Sequence, residues 1–455
     1  MPSSTRKPRT ILFFDHTAQL GGGEIALLHL VQHLDKQLFT PLVVLGSEGP
    51  LRQRLLEAGI ETHVLPLAES IVQTRKASLE ADSLLRPKDA ARVLRYVLRL
   101  SSFMRRRRVR LVHTNSLKAD LIGGAAARLA GVPVIWHIRD RIADDYLPSN
   151  AGRGFRWLCS WLPNFVVANS QATMDTVFPP CSPAQKPKSK LNGKAAETER
   201  PPRQVIYSGV VLHWRRDDDA RMRLSVLEKR RWDRDGMDPH RRRDDHETLM
   251  VERNAARDRV LDPNAPRIGI VGRISPWKGQ HLFVHAAAEV RHDFLGASFH
   301  IIGAPLFGEE QYEEAVRRQA SSYGLDDCLE WMGFRPDVPQ VIDSLDILVH
   351  ASTVSEPFGQ VIVQGMAVGK PVVATDGGGV REVMQHGETG LLVERNSSRA
   401  LSDAMLQLLS DPQAAHEMGR EARRRVVQSF TIEHTAHGAE SVYQALLDKV
   451  PPERQ

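Results

Sequence analysis

Ile268-Gly269-Ile270-Val271-Gly272-Arg273-Ile274-Ser275-Pro276-Trp277-Lys278-Gly279 opens the second half of the chain and decides how the rest is read. Its first residues form a short, continuous apolar run of the kind found in a strand buried on both faces, and a glycine ends it. A helical pattern follows. Further runs then recur at Phe299-His300-Ile301-Ile302, Leu329-Glu330-Trp331, Ile347-Leu348-Val349-His350, Pro371-Val372-Val373-Ala374 and Leu391-Leu392-Val393. Apolar strands separated by about 10 to 15 helical residues predict a parallel sheet with helices on both faces.

The same grammar lies upstream, in Ile11-Leu12-Phe13-Phe14, Leu42-Val43-Val44-Leu45, His63-Val64-Leu65, Leu111-Val112-His113, Val134-Ile135-Trp136 and Phe165-Val166-Val167-Ala168. The predicted fold class is therefore α/β, with two Rossmann-like domains. Residues 1–181 form the first and residues 263–430 the second. Residues 431–455 carry a last helical pattern, with Val442, Leu446 and Leu447 at helical spacing, and are expected to cross back to the first domain. Residues 182–262 form a linker region: 182–204 is rich in Lys, Pro, Ser and Ala, and 215–258 is dense in charges of both signs, which reads as a solvated insertion. Asp217-Asp218-Asp219 imitates a metal-binding acid pair but follows no strand, so it is discounted.

A chain of 455 residues with 42% apolar and 25% charged residues has enough core for two or three domains, which excludes a disordered tail or a disulfide-stapled mini-protein. The net charge of +6 is compatible with anionic partners without selecting one. Cys159, Cys181 and Cys328 form no C-x-x-C pair, which argues against a zinc cluster and fits a reducing compartment. The first apolar run is cut by Asp15 and His16, too soon for a signal peptide, and no run reaches the roughly 18 uncharged residues of a membrane span. A cytoplasmic location is expected.

Three loops carry chemistry. Gln19-Leu20-Gly21-Gly22-Gly23-Glu24 joins the first strand to a helix, where free backbone N–H groups and the positive dipole end suit an anion; a plain tight turn explains the glycines equally well. It is not a dinucleotide fingerprint, because G-x-G-x-x-G is not met. In Gly272 to Gly279 two cations, Arg273 and Lys278, frame a Ser-Pro turn at a strand carboxyl end, where open α/β sheets gather their ligands. Together they suit a pyrophosphate. In Ser355-Glu356-Pro357-Phe358-Gly359-Gln360-Val361-Ile362-Val363-Gln364 the proline suits a first helical turn and Gly359 permits close approach of a ligand to the backbone. Glu356 is also explained by the preference for acids near helix N-termini.

These motifs resemble the retaining glycosyltransferases of family 4, which have the GT-B fold: Gly272-Arg273 through Lys278-Gly279 precedes Glu356-Pro357-Phe358-Gly359 in the order that family uses. Similar stretches are the Gly21 to Gly23 loop, Val134 to Asp140, Ala168-Asn169-Ser170, Ile206 to Val210 and Ile347 to Ser352. The resemblance implies two domains facing across a cleft, with the acceptor on the first and a nucleotide-sugar donor, UDP- or GDP-linked, on the second. It implies that Arg273 and Lys278 hold the departing pyrophosphate, and that Glu356 accepts from sugar hydroxyls. The Phe358 and Gly359 amides would help to hold sugar or phosphate, and Gly22 and Gly23 would lie in the loop that closes on the donor. It further implies His137 beside the transferred sugar, Met332 and Phe334 after a strand at the base, and Asp140 and Arg139 on the acceptor side. No metal and no cofactor are implied, and no nucleic acid partner.

Two departures stand out. The second acid of the family pattern is Gln364, which predicts weaker donor binding, and Gly209-Val210-Val211 lacks the acid that many relatives carry. A separate feature is Lys88 to Arg110, whose Val93, Leu94, Tyr96, Val97, Leu98, Leu100, Phe103 and Met104 alternate with Arg92, Arg95, Arg99 and Arg105 to Arg108. This basic amphipathic helix suits either core packing or peripheral contact with the anionic inner face of a membrane. The function expected is sugar transfer in polysaccharide or cell-envelope synthesis. A non-catalytic binding subunit and a same-fold nucleotide-sugar epimerase are the alternatives.

Overall fold

The computed structural model describes residues 7–68, 87–144, 147–180, 200–212, 265–306 and 308–448. Most of the linker region, with Asp217 to Asp219, lies outside the described residues.

Two parallel sheets organise the chain. The first holds β1 (Arg9–Asp15), β2 (Phe39–Leu45), β3 (Glu61–Val64), β4 (Leu111–Thr114), β5 (Val134–Ile138), β6 (Phe165–Ala168) and β7 (Arg203–Val205) in the order β3-β2-β1-β4-β5-β6-β7. The second holds β8 (Arg267–Val271), β9 (Ser298–Ile302), β10 (Leu329–Gly333), β11 (Ile347–His350), β12 (Val372–Thr375) and β13 (Leu391–Val393) in the order β10-β9-β8-β11-β12-β13. In each sheet the strand order reverses beside the first strand, and the crevice outside the carboxyl ends at that point is where such sheets bind ligands. This is the expected pair of Rossmann-like domains.

The continuous apolar runs are explained by burial on both faces. Leu12 and Phe14 of β1 point into one core with Trp136 and Val166, whereas Ile11 and Phe13 point into the opposite one with Leu27 and Val43. Strand β7 escaped the sequence reading because its Arg203-Gln204-Val205 has no apolar run; it pairs only with β6, at the sheet edge.

The last helix, Ile432–Leu447, crosses back as expected. Its Ala436, Ala439, Val442, Tyr443, Leu446 and Leu447 complete the core beneath β1 and β2, each large apolar side chain contributing about 1.5 to 3 kcal/mol. The crossing is tight at Gly209. Its N–H donates to Thr435 Oγ1 at 2.7 Å, and a β-carbon there would lie 2.1 Å from the Thr431 carbonyl oxygen. Val210 N–H donates to Phe430 O and Ile432 N–H to Val210 O, both at 2.9 Å, so the two connections between the domains are stitched to each other.

The basic amphipathic segment forms the helix Pro87–Arg106. Tyr96, Val97, Leu100 and Met104 are buried in the core, while Leu94 and Leu98 stand 60% and 52% exposed beside Arg92, Arg95 and Arg99. Among the described residues no helix is long and apolar enough to cross a membrane.

Candidate functional site

Lys278 and Glu356 come together although 78 residues separate them. Lys278 ends a single 3-10 turn, Pro276–Lys278, after β8; Gly279 has φ +72° and approaches Ala351 so closely that a β-carbon would lie 2.0 Å from its carbonyl oxygen. That contact seats the β8 loop on the loop after β11. Lys278 Nζ then donates to Glu356 Oε1 at 2.5 Å, Ser352 Oγ donates to the same oxygen at 2.5 Å, and His350 Nε2 lies 3.3 Å away. Burial pushes the Glu356 carboxyl up, but the Lys278 charge and the His350 hydrogen bond outweigh it and hold the group well below the usual carboxylate range. Glu356 is therefore ionised, with Oε2 outside this set of bonds.

Arg273 lies in the same loop but turns elsewhere. Its guanidinium stacks 4.6 Å above the Trp277 ring and its Nε is 3.4 Å from Glu309 Oε2. Glu309 was not among the residues singled out from sequence.

Pro357 does not start a helix, contrary to the sequence reading. The helix Gln360–Ala367 begins after Gly359, which caps it at φ +100°, a conformation that favours glycine. The Pro357 carbonyl accepts instead from Ser170 Oγ at 2.5 Å and Thr173 Oγ1 at 3.1 Å, both in the first domain. The Phe358 side chain is core, stacked on Tyr207 with ring centroids 5.8 Å apart, so only its backbone amide is available to a ligand. Gln364 is partly buried one turn into the helix. Met332 and Gly333 end β10 and do not follow it; Phe334 comes next and is 57% exposed.

On the opposite side the helix Gly22–His33 begins with Gly22 and Gly23 in its first turn. Nothing lies within 4 Å of a β-carbon built on Gly22, while one on Gly23 would touch Arg139 Cδ at 3.5 Å. Beneath them is a buried polar cluster. Asn115 Nδ2 donates to Asp15 Oδ2 at 2.7 Å and to Gly23 O at 3.0 Å, and Asn115 Oδ1 accepts from Arg139 Nε at 2.8 Å. Arg139 Nη1 reaches Ser208 Oγ at 2.8 Å. His137, at the carboxyl end of β5, is 1% exposed; its Nδ1 faces His113 Nε2 at 2.9 Å, and His113 Nδ1 faces the Tyr443 hydroxyl at 2.7 Å. Burial, then Asp15 and Asp140, pushes the Glu24 carboxyl up to about 8.

The two sides are joined. Arg141 Nη1, in the loop that carries Arg139 and Asp140, donates to Ser355 O at 3.3 Å, next to Glu356. Glu382 of the second domain caps the helix Gln171–Val177 of the first, accepting from the N–H groups of Gln171 and Ala172 at 2.8 Å each and from the Tyr207 hydroxyl at 3.1 Å. The structure thus brings Lys278 with Glu356, His137 with Arg139, and Gly23 with Arg139, and the Arg141–Ser355 bond joins the loops that carry Arg139 and Glu356. Sequence reading missed Asp15, Glu24, His113, Asn115 and Glu382. The first four each stand at a strand carboxyl end or in the Gly-rich turn, a positional signal that was legible; Glu382 had none.

Comparison with known proteins follows the same division. The glycosyl transferase 4-like domain profile matches residues 21–185, and the glycosyl transferases group 1 profile matches residues 252–425. D-inositol 3-phosphate glycosyltransferase of Nocardia farcinica is 33% identical over 201 residues, 43% of this chain and 44% of that one. The Bacillus subtilis protein YtcC is 32% identical over 182 residues, 39% of this chain and 44% of that one. The chain therefore aligns with less than half the length of either relative. Anabaena HepE, solved in complex with UDP and glucose, superposes with a TM-score of 0.71 over 96% of this chain and 100% of that one, at 24% identity, which speaks for a shared fold. Since the two profiles fall on the two sheets in chain order, and the architecture is that of GT-B proteins, the chain belongs to the group 1 family of glycosyl transferases.

Proposed function

We propose that this protein moves a sugar from a nucleoside-diphosphate sugar, UDP- or GDP-linked, to a glycan or lipid-linked acceptor, with retention at the anomeric carbon and without a divalent metal. The observation that carries the reading is the meeting of Lys278 with an ionised Glu356 at strand carboxyl ends. Breaking the sugar–phosphate bond builds negative charge on the departing diphosphate, and preorganised cations at that point lower the barrier. An ammonium has three N–H groups. One engages Glu356, and the others are free in direction to reach phosphate oxygens. Arg273 would exchange Glu309 for a second phosphate contact, and the Phe358 and Gly359 amides at the start of the helix Gln360–Ala367 would add theirs.

Glu356 Oε2 would accept from sugar hydroxyls, and Gln364 from the ribose. Met332 and Phe334 would seat the base, and Gly22 and Gly23 would close over the donor. Asp140 would face the acceptor, whereas Arg139, being buried, organises the cluster under the glycines. In the proposed retaining step the acceptor oxygen forms its bond to the anomeric carbon on the face that the phosphate oxygen leaves. The acceptor proton passes to that phosphate, so no enzyme carboxylate becomes glycosylated. The D-inositol 3-phosphate glycosyltransferase relative supports the reaction class, and HepE, as a protein solved with UDP and glucose, supports the donor class.

A donor panel assayed with and without EDTA tests the proposal. Turnover of a nucleoside-diphosphate sugar that survives chelation and is lost in Lys278→Ala supports it; turnover indifferent to Lys278 refutes it. A non-catalytic binding role is favoured by Gln364 alone, and would show as donor binding with no hydrolysis or transfer in the wild type.

The outer face of the helix Pro87–Arg106, with Leu94 and Leu98 among Arg92, Arg95 and Arg99, supports peripheral contact with an anionic bilayer. Flotation with liposomes of graded anionic lipid content tests this; recovery independent of that content refutes it.

A further inference from the structure

His137 presents one ring nitrogen, Nε2, that is buried and has no hydrogen-bond partner, while Nδ1 faces both His113 Nε2 at 2.9 Å and Arg139 Nη2 at 3.4 Å. The direction of each hydrogen bond in this chain follows from its two ends. A guanidinium carries only donors, so the nitrogen it faces must accept. His137 Nδ1 is therefore bare, and His113 Nε2 carries the proton that points at it. A neutral imidazole has a single N–H, so His113 Nδ1 is also bare and accepts from the Tyr443 hydroxyl at 2.7 Å. The remaining proton of His137 must then sit on Nε2.

We propose that Tyr443, on the helix that crosses back from the second domain, is a positioning residue: acting through the short His113 bond, which the longer 3.4 Å approach of Arg139 supplements but does not replace, it holds His137 as the Nε2–H tautomer, so that this ring offers a ligand a hydrogen-bond donor and never a base. Neutrality of both rings is supported independently, since burial, followed by the Arg139 charge, lowers His113 to about 3 and His137 well below the ordinary imidazole value. An unpaired buried N–H is unfavourable, so a ligand oxygen that accepts from His137 Nε2–H strengthens binding. The phenol has no other described partner, and its ring packs edge-on to Phe39 and Phe13 with centroids 5.5 Å and 6.4 Å away. Phenylalanine can keep that packing and lose only the donor.

The tautomer stands on the hydrogen bonds alone, whereas its effect on turnover rests on the cleft being a sugar-transfer site. Long-range proton–nitrogen NMR of protein labelled with 15N-histidine, assigned against His137→Gln and His113→Gln, reads the tautomer at pH 7 without any donor. The expected wild-type spectrum has His137 protonated at Nε2 and bare at Nδ1. A His137 ring protonated at Nδ1, or at both nitrogens, overturns the proposal. In Tyr443→Phe, with melting temperature monitored, both rings should show averaging between tautomers, and kcat should fall about tenfold with donor KM changed less than twofold. An unchanged His137 pattern in Tyr443→Phe reduces the phenol to a core side chain and also overturns it. Spectra as expected in a protein that turns over no donor leave the relay standing and remove the transfer reading.

Discussion

Lys278 Nζ and Glu356 Oε1 are 2.5 Å apart, and each sits in a loop that leaves the carboxyl end of a central strand of the second sheet. The pair makes the site electrically self-consistent before any ligand arrives. The ammonium keeps Glu356 ionised against burial, and Glu356 fixes where the ammonium points.

Removing the cation should therefore harm chemistry more than folding. Lys278→Ala is expected to lower kcat/KM for donor turnover by about a hundredfold to a thousandfold, the range for losing one preorganised electrostatic contact. Stability should drop by about 1 to 3 kcal/mol, because Glu356 keeps Ser352 and His350 as partners. Steady-state kinetics and a urea melt measure the two; a variant with normal turnover refutes the assignment.

Gln364 stands one turn into the helix Gln360–Ala367, where a carboxylate would gain a charge-assisted bond to a ribose hydroxyl. Gln364→Glu should tighten UDP or GDP binding about fivefold, equivalent to about 1 kcal/mol. Calorimetric titration measures this, and an equal or weaker affinity would remove Gln364 from the donor site.

Glu24 makes native stability depend on pH. Its folded value, raised to about 8 from an ordinary 4.5, means the native state prefers the neutral acid. The unfolded chain releases that proton first, so the penalty is absent below pH 4.5, grows as pH rises, and is complete above about 8. Glu24→Gln removes the titrating group, and should gain on the wild type by about 3 to 4 kcal/mol between pH 5 and pH 8. Denaturant melts at the two pH values check the sign; a difference that shrinks as pH rises counts against a raised Glu24.

Glu382 holds the domains together by satisfying two otherwise unpaired N–H groups at the start of the helix Gln171–Val177 and the Tyr207 hydroxyl. Glu382→Ala leaves those donors to water, and the closed arrangement should lose about 1 to 2 kcal/mol relative to more open ones. Small-angle scattering should then give a larger radius of gyration, with a raised donor KM. A scattering profile matching the wild type would show that Glu382 is not what keeps the cleft closed.

Short-range physics made much of this legible in one dimension. A strand buried on both faces must be apolar throughout, so the runs at Ile11, Leu42, Ile268 and Ile347 gave two parallel sheets, and the loops that end two of them gave Lys278 and Glu356 as neighbours at strand carboxyl ends. The amphipathic pattern of the last helix announced that it needed a surface to cover. Position along the chain could not say which partners those side chains would choose. Arg273 lies on Trp277 and Glu309, Pro357 serves as an acceptor for Ser170 and Thr173, and Tyr443 reaches His113 from 330 residues away. Such choices depend on distances between atoms remote in sequence and on which buried polar groups are left needing a partner, and both exist only once the chain has closed on itself.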